Sequence, residues 1–196
     1  MEKFYFEEPS LKRKEEAILF IKEFIDNNSV IHGVSSLDSE YENYEEWLSN
    51  LEKKKTGYKN YVPGVAYFLI RENDNKIIGM ISIRLELNDQ LRECGGHIGY
   101  CIRPSERGKG YNKINLYLGL KVCDEHGIEE ALLDADLDNL ASWKTMEALG
   151  GKRIKSYIDP YDGSDSVKYS INVKEALYNY KDIYEPLLNT CKIYKK

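Results

Sequence analysis

The sequence predicts a mixed α/β (α+β) fold: a twisted, mostly antiparallel sheet flanked by helices, with a βαβ unit at its centre. Two observations carry this expectation. Runs rich in β-branched and aromatic residues occupy 65–71 and 77–87, and a second pair occupies 152–158 and 167–173. Between the pairs, short strand patterns alternate with helical ones, an order that brings strands together through a crossover helix. A chain of 196 residues is long enough for one domain with a real core. With 42% hydrophobic and 31% charged residues it has a globular balance, not that of a disordered chain.

Each element has its own signal. Ser10, after Pro9, is placed to cap a first helix in which Ala17, Ile18, Ile21, Phe24 and Ile25 fall at helical spacing. Asn27-Asn28 ends it, and a polar loop over 35–42 leads to a second helix near 44–54. Acids and tyrosines mix at the start of that helix, where negative charge favours the dipole. In 77–87, Ile81, Ile83, Leu85 and Leu87 alternate with Ser82, Arg84 and Glu86, so the run reads as a strand hairpinned to 65–71 through the turn 72–76. A third strand covers 97–102 and stops before Pro104. The helix at 111–126 is apolar on two sides, through Ile114, Leu118 and Val122 and through Leu116 and Leu120, and so reads as largely buried. A strand at 131–135 and a helix at 140–149 follow, the helix capped by Asp138 or Asn139 and closed by Gly150-Gly151. A last helix carries Tyr184, Leu187 and Leu188. The reading is of one domain over 1–196: a variable helical part to 64, a core over 65–173, and a C-terminal helix over 174–196.

The formal net charge of −5 argues against a nucleic-acid partner, which needs a basic footprint. Early acidic residues interrupt any signal-peptide core, and no apolar run spans a bilayer, so neither secretion nor a membrane partner is expected and the chain reads as cytoplasmic. Cys94, Cys101, Cys123 and Cys191 contain no CxxC pair; they read as reduced thiols, with no metal site. The tyrosine-rich tail from Ala176 packs either on the domain or on a second copy, so a homodimer stays open.

The chemistry concentrates in 95–151. The strand at 97–102 runs into Arg107-Gly108-Lys109-Gly110-Tyr111-Asn112 and then into a helix. Amides at a helix start lack partners and carry positive potential, and glycines let a phosphate approach the backbone. With Arg107 and Lys109 adding charge, this is a candidate pyrophosphate cradle, although basic glycine turns also occur as plain connections. Neither a P-loop nor a GxGxxG fingerprint is present. Asn139, at the next strand-to-helix junction, is placed to cap the helix, to bond an amide-containing ligand, or to do both.

These residues resemble the GNAT N-acetyltransferase superfamily, and especially a bacterial subgroup of acetyltransferases. The matching stretches are Gly95 to Tyr100, Arg103 to Tyr111, Asp138-Asn139-Leu140-Ala141-Ser142 and Gly150-Gly151. The family's phosphate signature, Arg/Gln-x-x-Gly-x-Gly/Ala, reads here as Arg107 to Asn112, with Asn112 in place of the small residue.

The resemblance implies acetyl-CoA as co-substrate, held between two splayed strands by its pantetheine amides. Tyr100 and Ile102 would face the pantetheine, and an amide near Ile102 would polarise the thioester carbonyl. Arg107, Gly108, Lys109, Gly110, Tyr111 and Asn112 would hold the pyrophosphate, with Asn139 and Ser142 along the arm. The acceptor would be a small-molecule amine that attacks directly after losing a proton to a base. His97 and Glu86 are the candidate bases, though each also reads as an ordinary strand residue. Many relatives protonate the leaving thiolate with a Tyr at the position of Met146, which leaves Tyr111, Tyr100 or water as the acid. Two other functions stay open: a non-catalytic acyl-CoA-binding module, and an α/β domain binding another nucleotide.

Overall fold

A computed structural model describes residues 2–189, and Cys191 lies outside them. Among the described residues are seven strands and seven α-helices. Their order is β1 (Phe4–Glu7), α1 (Lys14–Asp26), α2 (Leu37–Glu40), α3 (Tyr44–Lys54), β2 (Gly64–Arg71), β3 (Lys76–Arg84), α4 (Asp89–Glu93) and β4 (Ile98–Ile102). Then come α5 (Tyr111–Glu125), β5 (Glu130–Asp136), α6 (Leu140–Glu147), β6 (Lys152–Ile158), β7 (Asp165–Asn172) and α7 (Val173–Tyr184). The fold class matches the sequence expectation: antiparallel strands flanked by helices, with β4–α5–β5 at the centre.

The strands form two ladders. One has the order β1-β2-β3-β4 and the other β5-β7-β6, antiparallel throughout. Phe6, Leu69, Ile81 and Ile83 pack with Leu116, Leu118 and Leu120 of α5 on one face of the first ladder. Phe68, Ile70 and Met80 pack with Phe20, Phe24 and Trp47 of α1 and α3 on the other. Burial on both faces explains why β3 is apolar at Ile77, Ile78 and Met80 as well as at Ile81 and Ile83. The described part of the tail packs on the domain: Tyr184 lies 5.0 Å, ring to ring, from Tyr117 of α5.

Four features differ from the sequence expectation. Ser10 heads a 3-10 turn, Leu11–Arg13, without a side-chain cap hydrogen bond, and α1 starts only at Lys14. The last helix ends at Tyr184, with Leu187 in a 3-10 turn and Leu188 extended after it, while 190–196 lie outside the described residues. The N-terminal part is not purely helical, because Phe4–Glu7 adds a strand to the edge of β2. Four residues are too few to show a period above the noise. Strand β3 ends at Arg84, not Leu87, because Leu85 and Glu86 form a bend before α4.

Between the ladders, an isolated bridge joins Gly96, just before β4, to Leu133 of β5. His97 reinforces that junction twice. Its amide donates to the Leu132 carbonyl (2.6 Å), and its Nδ1 accepts from the Leu132 amide (3.0 Å). Burial, with Arg92, Arg84 and Lys168 nearby, pushes its pKa down to about 4. Nδ1 is therefore an unprotonated acceptor at neutral pH.

The junction also generates a stability prediction. Between the folded value of about 4 and the ordinary value of about 6.5, the unfolded state binds the extra proton, so stability falls as pH drops through that window. After allowance for solvent screening, the contribution is on the order of 2 kcal/mol. Urea unfolding at pH 7 and pH 4.5 should show that loss in the wild type and less of it in His97→Gln. Equal losses in both proteins would assign the effect to other groups.

Candidate active site

Beyond the Gly96 bridge the two ladders part, and a cleft of about 850 Å³ lies between them. Its first wall is β4. The Arg84 amide donates to the His97 carbonyl and the Arg103 amide to the Ile78 carbonyl, while Gly99 and Cys101 sit opposite Ser82 and Met80. Odd-numbered residues thus address β3. The strand period turns the N–H groups of Tyr100 and Ile102 towards the cleft. The Ile102 carbonyl is occupied by Arg107 Nε at 3.1 Å.

The floor at one end is the turn into α5. Gly108 and Gly110 have φ of +77° and +81°, and a Cβ on either would meet nothing within 4 Å. Glycine is needed here for the left-handed backbone, not for want of room in the apo fold. The turn lays successive amides of residues 108–112 along the mouth of the cleft, where the first turn of α5 supplies no carbonyl to receive them.

The side chains of that turn are more committed than the sequence suggests. Lys109 Nζ is paired with Glu106 at 2.8 Å. Arg71 and Lys76 pair with the same carboxylate at 2.9 and 3.0 Å. Burial would raise the Glu106 carboxyl, but these three cations outweigh it and hold it at about 2. Arg107 reaches back over the Phe24 ring to Ser29 Oγ at 2.7 Å. Asn112 accepts a long contact from Asn115 Nδ2 at 3.4 Å. Tyr111 donates to Glu2 at 2.7 Å, and burial raises its pKa.

The second wall comes from β5, α6 and β6. Asn139 caps α6 by accepting from the Ser142 amide at 3.2 Å, which leaves its Nδ2 for another acceptor. Tyr100 spans the gap, its hydroxyl 3.1 Å from both the carbonyl and the Oγ of Ser142, and burial raises its pKa. Met146 is buried, so no proton donor stands at that point of α6.

Near the junction the walls carry polar groups that sequence reasoning missed. Asp134 is ion-paired with buried Lys168 at 2.9 Å, and it accepts from Tyr157 (2.9 Å) and from the Gly95 amide. Cys94 donates to Asp159 at 2.9 Å; burial and that carboxylate raise its pKa, so it stays a thiol. Asp134 and Lys168 face each other across β5 and β7, a pairing visible only once the register is known. Val30, His32 and Gly33, in the loop after α1, close the cleft over β4. A Cβ on Gly33 would lie 2.1 Å from the Gly99 carbonyl carbon and the Tyr100 nitrogen, so the loop crosses β4 backbone on backbone. No periodicity marks His32, which stands in an irregular loop.

The cleft therefore gathers Tyr100, Ile102, Arg107, Gly108, Gly110, Tyr111, Asn112, Asn139 and Ser142, with Lys109 beside them on Glu106. It does not gather the two expected bases. Glu86 is exposed in the bend beyond β3. His97 is spent on the junction with Leu132. Among the described residues, no group of His, Cys, Asp and Glu side chains is arranged to hold a metal ion. No described helix is long and apolar enough to cross a membrane.

Comparisons with known proteins agree with this architecture. A family model described as an acetyltransferase (GNAT) domain matches residues 14–152. A search of the curated proteins found no match. Among solved structures, the microcin C7 self-immunity acetyltransferase MccE, in complex with acetyl-CoA and AMP, is similar with a TM-score of 0.66. It is 18% identical over 86% of this chain and 91% of its own. The spermidine/spermine N-acetyltransferase SpeG from Vibrio cholerae is 13% identical, with a TM-score of 0.64 over 90% and 98% of the two chains. A GNAT-family acetyltransferase from Bacillus anthracis is 15% identical, with a TM-score of 0.60 over 88% and 96%. At such identities the structural likeness is one of fold, but the family model covers well over half of the sequence. The chain belongs to the GNAT acetyltransferase family and is an N-acyltransferase.

Proposed function

We propose that this N-acyltransferase uses acetyl-CoA to acetylate the primary amine of a small molecule, by direct attack in a ternary complex. The observation that carries the reading is the continuity of the cleft. Amides at a helix start lead without a break into a strand edge whose N–H groups are unpaired within its ladder. The residues fit the group. The amides of 108–112 match a pyrophosphate, and the edge of β4 with Asn139 Nδ2 matches an arm built of amides. When bound, acetyl-CoA supplies a thioester whose carbonyl carbon accepts a neutral amine.

The chain's own groups then have distinct tasks. The turn amides bind phosphate; the charges of Lys109, Arg71 and Lys76 are shared with Glu106 and lend it only a damped field. The amides of Tyr100 and Ile102 orient the arm and stabilise negative charge on the carbonyl oxygen. Ser142 holds Tyr100 in place through its hydroxyl. His32 takes the role expected of His97, because it is the imidazole that lines the cleft, one residue from the loop's contact with Gly99 and Tyr100. The acceptor enters as an ammonium ion and gives one proton to His32. The neutral nitrogen attacks, the C–N bond forms and the C–S bond breaks. The second proton leaves nitrogen for the departing thiolate directly or through water, since Met146 offers none and the Tyr111 and Tyr157 hydroxyls are bonded to Glu2 and Asp134.

Three outcomes are expected. Acetyl-CoA at ~100-fold above its Kd should stabilise the protein by about 2.7 kcal/mol, seen as a rise in Tm of roughly 5–10 °C. ATP should give no such rise, and no shift at millimolar acetyl-CoA would remove the donor assignment. Gly110→Asp, with a carboxylate facing the phosphates and an L-residue at φ +81°, should abolish the rise while the protein stays folded. With the amine that releases free thiol fastest in a screen, His32→Gln should lower kcat/KM by about 100-fold and leave the acetyl-CoA shift intact. A loss under roughly threefold would hand proton removal to water. Binding without thiol release for any amine would favour a non-catalytic acyl-CoA module.

A further inference from the structure

The family signature invites the view that Arg107 serves phosphate. Its side chain goes elsewhere. Nε donates to the Ile102 carbonyl at 3.1 Å, Nη2 donates to Ser29 Oγ at 2.7 Å, and the guanidinium lies 5.4 Å from the centroid of the Phe24 ring. One planar fork thus joins the end of β4 to the end of α1 and the loop behind it.

A second tie runs parallel to the first. Glu23, in the last turns of α1, accepts from the Ser105 amide at 2.6 Å and from Arg103 Nε at 2.8 Å. Arg103 is itself buried and donates through Nη1 to the Ile77 carbonyl at 2.9 Å. Burial works against the charge of Glu23, but Ser105 and Arg103 hold its carboxyl below the usual range. The segment 103–107, which leads into the donor turn, is therefore fastened at both ends to the element that carries the loop 29–33.

That loop lies on β4 and runs on to α3, where the Ser35 carbonyl accepts from Trp47 Nε1 at 3.0 Å and from Lys54 Nζ at 3.3 Å. Gly33 sits on the backbone of Gly99 and Tyr100, and Asn28, Ser35 and Ser36 all have positive φ. A segment with such backbone angles and few partners of its own keeps its shape only if its neighbours impose it. On its far side the neighbours are β4 and α3; on its near side, at Ser29, they are the two ties.

We infer that Arg107 is a positioning residue: with Glu23, it couples the acetyl-CoA turn to the 29–33 loop, so that donor binding sets the acceptor wall. The inference rests on the acetyl-CoA reading and adds a role which that reading does not require. Coupling of this kind is reciprocal, because each site biases the same two ties.

Hydrogen exchange with and without acetyl-CoA tests it without knowledge of the acceptor. In the wild type, acetyl-CoA should slow exchange in 107–113 and also, by roughly threefold or more, in 27–36. Ser29→Ala should keep the first effect and lose most of the second, Ser29→Thr should restore it, and Arg107→Lys, which lacks the fork, should resemble Ser29→Ala. Glu23→Ala with Ser29→Ala should abolish it; should that double variant not fold, the single variants decide. Protection of 107–113 with no change in 27–36 of the wild type would overturn the coupling and leave the donor site standing. Protection in 27–36 that survives Ser29→Ala and Arg107→Lys unchanged would overturn the role of Arg107. Absence of protection at 107–113 would overturn the acetyl-CoA reading, and this inference with it.

Discussion

Strands β4 and β5 lie next to each other in the fold without sharing a ladder, and the site depends on that interruption. A backbone edge left unpaired in a protein interior carries a cost unless something satisfies its polar groups. In this protein the edge faces a cleft, not a core, and the N–H groups of Tyr100 and Ile102 point into it. The interruption must be held at one end, or the two ladders would drift. The junction at Gly96, His97, Leu132 and Asp134 does this with backbone bonds, an imidazole and a carboxylate that also anchors Lys168.

Around the cleft, charge is handled by pairing. Glu106 gathers Arg71, Lys76 and Lys109, so the donor turn presents backbone amides with a moderated cationic surround. Arg107 binds a carbonyl, a hydroxyl and an aromatic face. The turn thus offers fixed backbone dipoles more than mobile side-chain charge.

The opposite end is polar and densely bonded. Tyr157, Cys94, Asp134 and Asp159 satisfy one another, and none is left as an obvious strong base. The imidazole that lines the cleft is His32, on a loop pressed against β4 by two glycines, Gly33 and Gly99. Packing of backbone on backbone brings that imidazole to the cleft beside β4, which neither pattern nor composition would show.

Much of the architecture was legible in the sequence. The helix at Tyr44–Lys54 and the strand at Lys152–Ile158 stand where their patterns put them, and the turn from Arg107 to Asn112 opens α5 as its glycines imply. Local periodicity and turn chemistry act over a few residues, so they can be read from one chain. Asn139 was legible as a cap for the same reason. The two expected bases were not, because strand position does not say which way a bond is spent: His97 faces Leu132, and Glu86 lies past the end of β3. The reach of Arg107 to Ser29, the pairing of Asp134 with Lys168, and the arrival of the His32 loop over β4 join residues from 34 to 78 positions apart. Sequence by itself determined most of the elements and the glycine turn that opens α5; tertiary structure alone decided what each side chain touches, because contacts at that separation are set by how the layers pack and not by the order of the chain.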